Sequence, residues 1–131
     1  MNEETKKKLI SLALEAKKKA YAPYSHFSVG AALLCRDGEI YTGVNIENSS
    51  YSATVCAERT ALFSAIAAGK RAFSAIAIVG GEENAPCFPC GVCRQVLCEF
   101  AGEDFTVLLM RGEEIVEKKL SELLPFAFRL F

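Results

Sequence analysis

Between Pro86 and Gln95 the chain reads PCFPCGVCRQ, with Cys87, Cys90 and Cys93 at a strict spacing of three. Three thiols held this close could be a disulfide, a redox pair, a metal clamp or buried core residues, and each option dictates a different local fold. Residues 1–20, MNEETKKKLISLALEAKKKA, lack the apolar core and small-residue cleavage site of a signal peptide. A cytoplasmic location is therefore expected, where reducing conditions disfavour structural disulfides. The six cysteines then read as metal-binding, catalytic or core thiols.

A chain of 131 residues, 51% hydrophobic and 24% charged, is expected to form one packed domain spanning residues 1–131. Its net charge of −1 offers no broad basic field for nucleic acid, so no nucleic-acid partner is expected. The lysine runs at 6–8 and 17–19 fit the wet face of an amphipathic helix. No apolar stretch is long enough to span a membrane, so no membrane partner is expected.

Apolar side chains at Leu9, Ile10, Leu12, Ala13, Ala16 and Ala20 predict a helix over 3–20, ended by Pro23. FSVGAALLC (27–35) and IYTGVNI (40–46) read as strands joined by a turn at 36–39. A second helix is predicted over 56–68 and a third strand over 73–79. A third helix is predicted from about Cys90 to Ala101 with Gly102 after it, then strands near 105–110 and 114–118 and a helical turn at 121–124. Strands alternating with helices indicate an α/β sandwich with a mixed sheet. AALLC and SAIAIV show little alternation, which predicts burial on both faces.

Cys56 opens one predicted helix, and Cys90 with Cys93 opens another. A helix N-terminus favours a thiolate, and a C-x-x-C pair is half of a common zinc site. Cys90 and Cys93, at i and i+3, are expected on one helix face. His26 is the only histidine, so a third ligand falls most naturally to Cys56. Three protein ligands leave a position for water, whereas a closed site would have to recruit Cys87, Cys35 or Cys98. Glu58 follows Cys56 by two residues, which on a regular helix would aim the side chains roughly 200° apart. Both reach a metal only if it lies off the helix end. Glu58 would then be a base beside the metal-activated water. Three thiolates leave a dication site net negative, and Arg59 and Arg94 are candidates to donate hydrogen bonds to sulfur.

CAE at 56–58 with PCGVC at 89–93 resembles the zinc nucleoside deaminase signature. AYAPYSHFSVGAAL (20–33), GVNIENSSY (43–51), CAERTAL (56–62), PCGVCRQV (89–96) and SELLPFAF (121–128) are similar to the small homotetrameric cytidine deaminases. The resemblance implies a three-layer α/β/α sandwich around a five-stranded mixed sheet. It implies one zinc ion per subunit held by Cys56, Cys90 and Cys93, Glu58 as proton shuttle and Arg59 bonded to thiolate. Asn45 and Glu47 match residues that hold the ribose hydroxyls, and their i, i+2 spacing puts both on one face of a strand. Phe27 matches the aromatic against the pyrimidine, and the Cys56–Ala57 backbone matches the stretch contacting the base amide. Tyr51 and Phe128 match residues contributed across subunit boundaries. The implied reaction is hydrolysis of cytidine and 2′-deoxycytidine to the uridine nucleosides and ammonia, in pyrimidine salvage.

Cys87 before the second motif and the bulky Phe126 in LPFAF depart from the family pattern. Cys35 and Cys98 read as core thiols, Cys87 as a core or loop thiol, and His26 as a surface residue. Two other functions compete with nucleoside deamination. One is deamination of another cytosine compound, such as a nucleoside antibiotic of the blasticidin type. The other is a non-catalytic zinc module or a Cys90–Cys93 redox pair, neither of which needs Glu58.

Overall fold

A computed structural model describes residues 1–82 and 85–130. Helix α1 (Glu3–Lys17) is followed by strands β1 (Val29–Cys35) and β2 (Ile40–Val44) and a short 3-10 turn at Tyr51–Ala53. Helix α2 (Ala57–Ala67), strand β3 (Phe73–Gly80) and helix α3 (Gly91–Phe100) come next. Strands β4 (Ala101–Arg111) and β5 (Glu114–Lys119) and the one-turn helix α4 (Leu120–Leu123) complete the fold. One five-stranded sheet runs in the order β2-β1-β3-β4-β5. It is mixed, since β3 and β4 are parallel and the other neighbours antiparallel.

Two cores explain why the central strands do not alternate. Along β3, Ile76 and Ile78 enter the core beneath α2 and α3, while Ala75, Ala77 and Val79 enter the one beneath α1. Helix α1 covers one face with Leu9, Ile10 and Ala13, largely against alanines, so it lies close to the sheet. The result is the expected three-layer α/β/α sandwich. On the opposite face, α2 rests on β2 at Gly43, where a Cβ would collide with the backbone of Ala57 and Ala61 and the hydroxyl of Thr60. That contact sets the depth at which the start of α2 sits.

Three boundaries differ from the sequence reading. Helix α1 ends at Lys17, not near residue 20, because Tyr21 is drawn into a parallel bridge with Ile46. Strand β2 ends at Val44, and Asn45 and Glu47 continue as an extended segment bonded to Tyr21 and Val29. Gly102 does not stop α3; Ala101 is already extended, and the chain passes directly into β4.

Candidate active site and metal centre

The sulfurs of Cys56, Cys90 and Cys93 lie within 4.8 Å of one another, and Cys56 and Cys90 are 3.9 Å apart. A tetrahedral zinc site with bonds of about 2.3 Å separates its sulfurs by roughly 3.8 Å. The donor set therefore fits a single zinc ion. Cys90 is exposed, Cys56 half-buried and Cys93 buried, so the cluster faces outward on one side.

Cys56 and Cys90 are the N-caps of α2 and α3, each with extended backbone. This corrects the expectation that Cys90 and Cys93 share a helix face. Cys90 stands before the first turn, and its sulfur accepts from the backbone N–H of Cys93 at 3.5 Å. Capping also relieves the spacing of Cys56 and Glu58, since Cys56 lies off the regular helix and Glu58, in its first turn, is close enough to feel the Cys56 charge. Free backbone N–H groups and the helix dipole there favour negative sulfur.

Cys56 is held below the ordinary thiol range, first by its hydrogen bond with Cys93 and then by Arg59. Arg59 donates to Cys56 Sγ at 3.5 Å. Cys93 shifts upward, first through its hydrogen bond with Cys56 and then through burial. Arg59 Nε is buried with no hydrogen-bond partner among the described residues. The contact to sulfur is made through Nη2, where the guanidinium charge can offset that of a thiolate. Arg94 does not reach sulfur. Its guanidinium donates to Pro89 O at 2.7 Å and Leu123 O at 2.7 Å, tying the start of α3 to the C-terminal segment.

Glu58 is 4% exposed. Burial, with the neighbouring Cys56 charge adding to it, raises its carboxyl to about 7. A carboxyl poised near neutrality can both take and return a proton.

Asn45 and Glu47 both turn toward residues 24–29. Asn45 Oδ1 accepts from Val29 N at 2.8 Å, and Nδ2 donates to Phe27 O at 2.8 Å. Glu47 accepts from the backbone of Tyr24 and Ser25 at 2.9 and 3.1 Å and from the Ser25 hydroxyl. Ser25 in turn accepts from Phe27 N at 3.0 Å. The pair is therefore first a clamp on the loop that carries Phe27; the second amide hydrogen of Asn45 has no partner among the described residues. Phe27 follows His26, whose left-handed backbone (φ 58°) redirects the chain there.

The family model described as "Cytidine and deoxycytidylate deaminase zinc-binding region" matches residues 3–109. A cytidine deaminase from Sporosarcina psychrophila is 52% identical over 123 residues, covering 92% of this chain and 89% of that protein. The chain belongs to the cytidine deaminase family. A crystal structure of the cytidine deaminase from Burkholderia pseudomallei superposes with a TM-score of 0.88 at 47% identity, covering 98% of this chain and 100% of that one. More distant is a blasticidin-S deaminase from Bacillus cereus, 32% identical over 127 residues, with 92% and 89% covered.

Within this cytidine deaminase fold the predicted site residues divide. Cys56, Ala57, Glu58, Arg59, Cys90 and Cys93 gather at the facing starts of α2 and α3. Glu47 and Tyr51 instead line a cavity of about 370 Å³ with Tyr24, Ser25, Asn48 and Thr54. Phe27 lines a neighbouring depression with Cys87. Tyr51 is 76% exposed and Phe128 67% exposed, so a single chain buries neither. Sequence reasoning missed Ser25, which lies within the matched stretch 20–33 but contacts Glu47 across 22 positions. It also missed Thr60, whose hydroxyl joins Val44 of β2 to the first turn of α2. No local spacing signals either contact.

Among the described residues no helix is long and apolar enough to cross a membrane. Cys35 and Cys98 are buried core thiols.

Proposed function

We propose that this protein hydrolyses cytidine and 2′-deoxycytidine to uridine and 2′-deoxyuridine, releasing ammonia, in pyrimidine salvage. One observation carries the reading: a buried carboxylate, Glu58, stands in the first turn of α2 beside Cys56, whose sulfur converges with those of Cys90 and Cys93 from the start of α3. A structural metal site has no use for such a group.

Cys56, Cys90 and Cys93 are the residues that would hold zinc, with Arg59 offsetting their negative charge. Zinc, when bound, supplies a Lewis acid that lowers the pKa of water toward neutrality. Glu58 takes the proton that the attacking water gives up. It delivers that proton to N3 of the cytosine ring as oxygen bonds to C4, then takes the second proton from the hydroxyl so added and delivers it to the C4 amine; the C4–N bond breaks, and water and cytidine become uridine and ammonia. Asn45 and Glu47 orient the ribose hydroxyls, Phe27 packs on the pyrimidine, and the Cys56–Ala57 backbone contacts the base amide.

The protein is further read as one domain, cytoplasmic, acting on nucleosides and not on nucleic acid. It assembles as a homotetramer whose pockets borrow Tyr51 and Phe128 from neighbouring subunits. Support comes from the exposed aromatic side chains of Tyr24, Tyr51, Phe126 and Phe128, which a single chain leaves in water. A sedimentation mass of one chain at micromolar concentration would overturn the tetramer.

Conversion of cytidine by zinc-loaded protein, followed by ultraviolet absorbance, tests the activity. Turnover supports the proposal. Zinc bound without turnover of either nucleoside sinks it. The relationship to a blasticidin-S deaminase makes that antibiotic the alternative substrate to assay in parallel.

A further inference from the structure

Cys87 is the one thiol of PCFPCGVCRQ that the zinc cluster does not use. Its side chain packs over Gly80, the last residue of β3, beside the Phe27 ring. A Cβ on Gly80 would stand 2.6 Å from Cys87 Sγ, 3.2 Å from Cys87 Cβ and 3.1 Å from Phe27 Cε2. One on Gly81 would stand 2.9 Å from Phe27 Cε1. Carbon atoms rest at about 3.5–4.0 Å, so the ring and the thiol occupy room that exists only because both positions lack a side chain.

The platform is anchored independently of the ring. Gly80 pairs with Val29 of β1, and Gly81 N donates to Ser28 O at 3.0 Å. Gly81 O accepts from Lys17 Nζ at the end of α1. On the other side, Phe27 is gripped through its main chain by Ser25 and Asn45. With the backbone fixed and one side of the ring seated, Phe27 remains 47% exposed. An aromatic held this way loses little rotamer freedom when a flat ligand covers it.

We propose that Gly80, Gly81 and Cys87 form a seat that fixes the Phe27 ring and thereby sets affinity for the pyrimidine. The three are positioning residues, acting on substrate only through Phe27. The inference rests on the reading of Phe27 as the aromatic against the base.

Gly80→Ala is the informative variant. Gly80 lies in extended strand, so alanine carries no left-handed strain and its effect comes from the contact alone. KM and kcat for cytidine would be measured for wild type, Gly80→Ala, Gly80→Ala/Cys87→Ala, Phe27→Ala and Gly80→Ala/Phe27→Ala. Zinc content and thermal midpoint would be checked for each, and the crystal structure of Gly80→Ala determined. We expect Gly80→Ala to raise KM about tenfold with kcat within about threefold, the signature of lost ground-state binding. Cys87→Ala removes the 2.6 Å contact but leaves those at 3.1 Å to Phe27 Cε2 and 3.2 Å to its own Cβ, so it should recover only part of that KM. In the Phe27→Ala background Gly80→Ala should raise KM no further, as coupled residues are non-additive. An unmoved ring with unchanged KM in the folded variant overturns the seat. An equal rise in KM with and without Phe27 also overturns it. A displaced ring with unchanged KM overturns the role of Phe27 at the base, and the proposal falls with it. Loss of kcat, zinc and thermal midpoint together would mark a general structural effect, and would also overturn it.

Discussion

Glu58 is a buried carboxyl at the first turn of α2, and the proposed proton relay accounts for its burial. An ionisable group at 4% exposure is costly unless its environment uses it. Glu58→Gln keeps the shape and removes the proton traffic. Its kcat for cytidine should fall about 10²–10⁴-fold while one zinc per chain is retained, as turnover and a chromogenic chelator would report. Cys87 gives a contrasting prediction. Burial, with Glu58 and Cys56 adding repulsion, pushes its thiol up to about 11. A raised pKa keeps the neutral thiol through pH 8, so thiolate appears only as pH climbs toward 11. Alkylation by iodoacetamide at pH 8, followed by peptide mass spectrometry, should be slower at Cys87 than at a free peptide thiol. These residues were unequally legible. Cys56, Cys90, Cys93 and Glu58 could be read because helix starts are local signals and thiol spacing is short-range. Cys87 could not, since its partners Gly80 and Phe27 are brought to it only by the folded sheet.

At the level of elements, the site depends on how α2 and the 24–29 loop are held. Asn45→Ala strands the Val29 N–H and the Phe27 carbonyl, and should cost about 1–3 kcal/mol, read as a shifted denaturant midpoint with unchanged slope. Gly43→Ala forces α2 off β2. Overpacking of this kind costs about 1–3 kcal/mol or more, and zinc retention should fall with it because Cys56 caps the displaced helix. Strand and helix order was legible because periodicity and turn residues are local. The ends of α1 and α3 were not: Tyr21 is captured by Ile46, and Ala101 by its register with Phe73. Arg94 shows the same limit. Its place in CRQ suggested sulfur, but the carbonyl of Leu123, 29 positions away, competes for it.

For the whole molecule, the opposite faces of the sheet have different duties. The α1 face is sealed by a small alanine-rich core, whereas the other carries α2 and α3, whose starts hold the three thiols. If Tyr51 and Phe128 complete pockets across subunits, specific activity should fall on dilution in step with the sedimentation mass. Constant activity down to a single-chain mass would show that each chain is self-sufficient.

The C-terminal segment is gripped by its main chain: Arg94 holds the carbonyl of Leu123, and Gln95 that of Phe128 at 3.0 Å. Carbonyls are common to every amino acid. These two bonds therefore survive a change of side chain at either position, so Phe128→Ala should leave the path of the tail beside α3 intact while removing the ring that the tail offers to a neighbouring subunit.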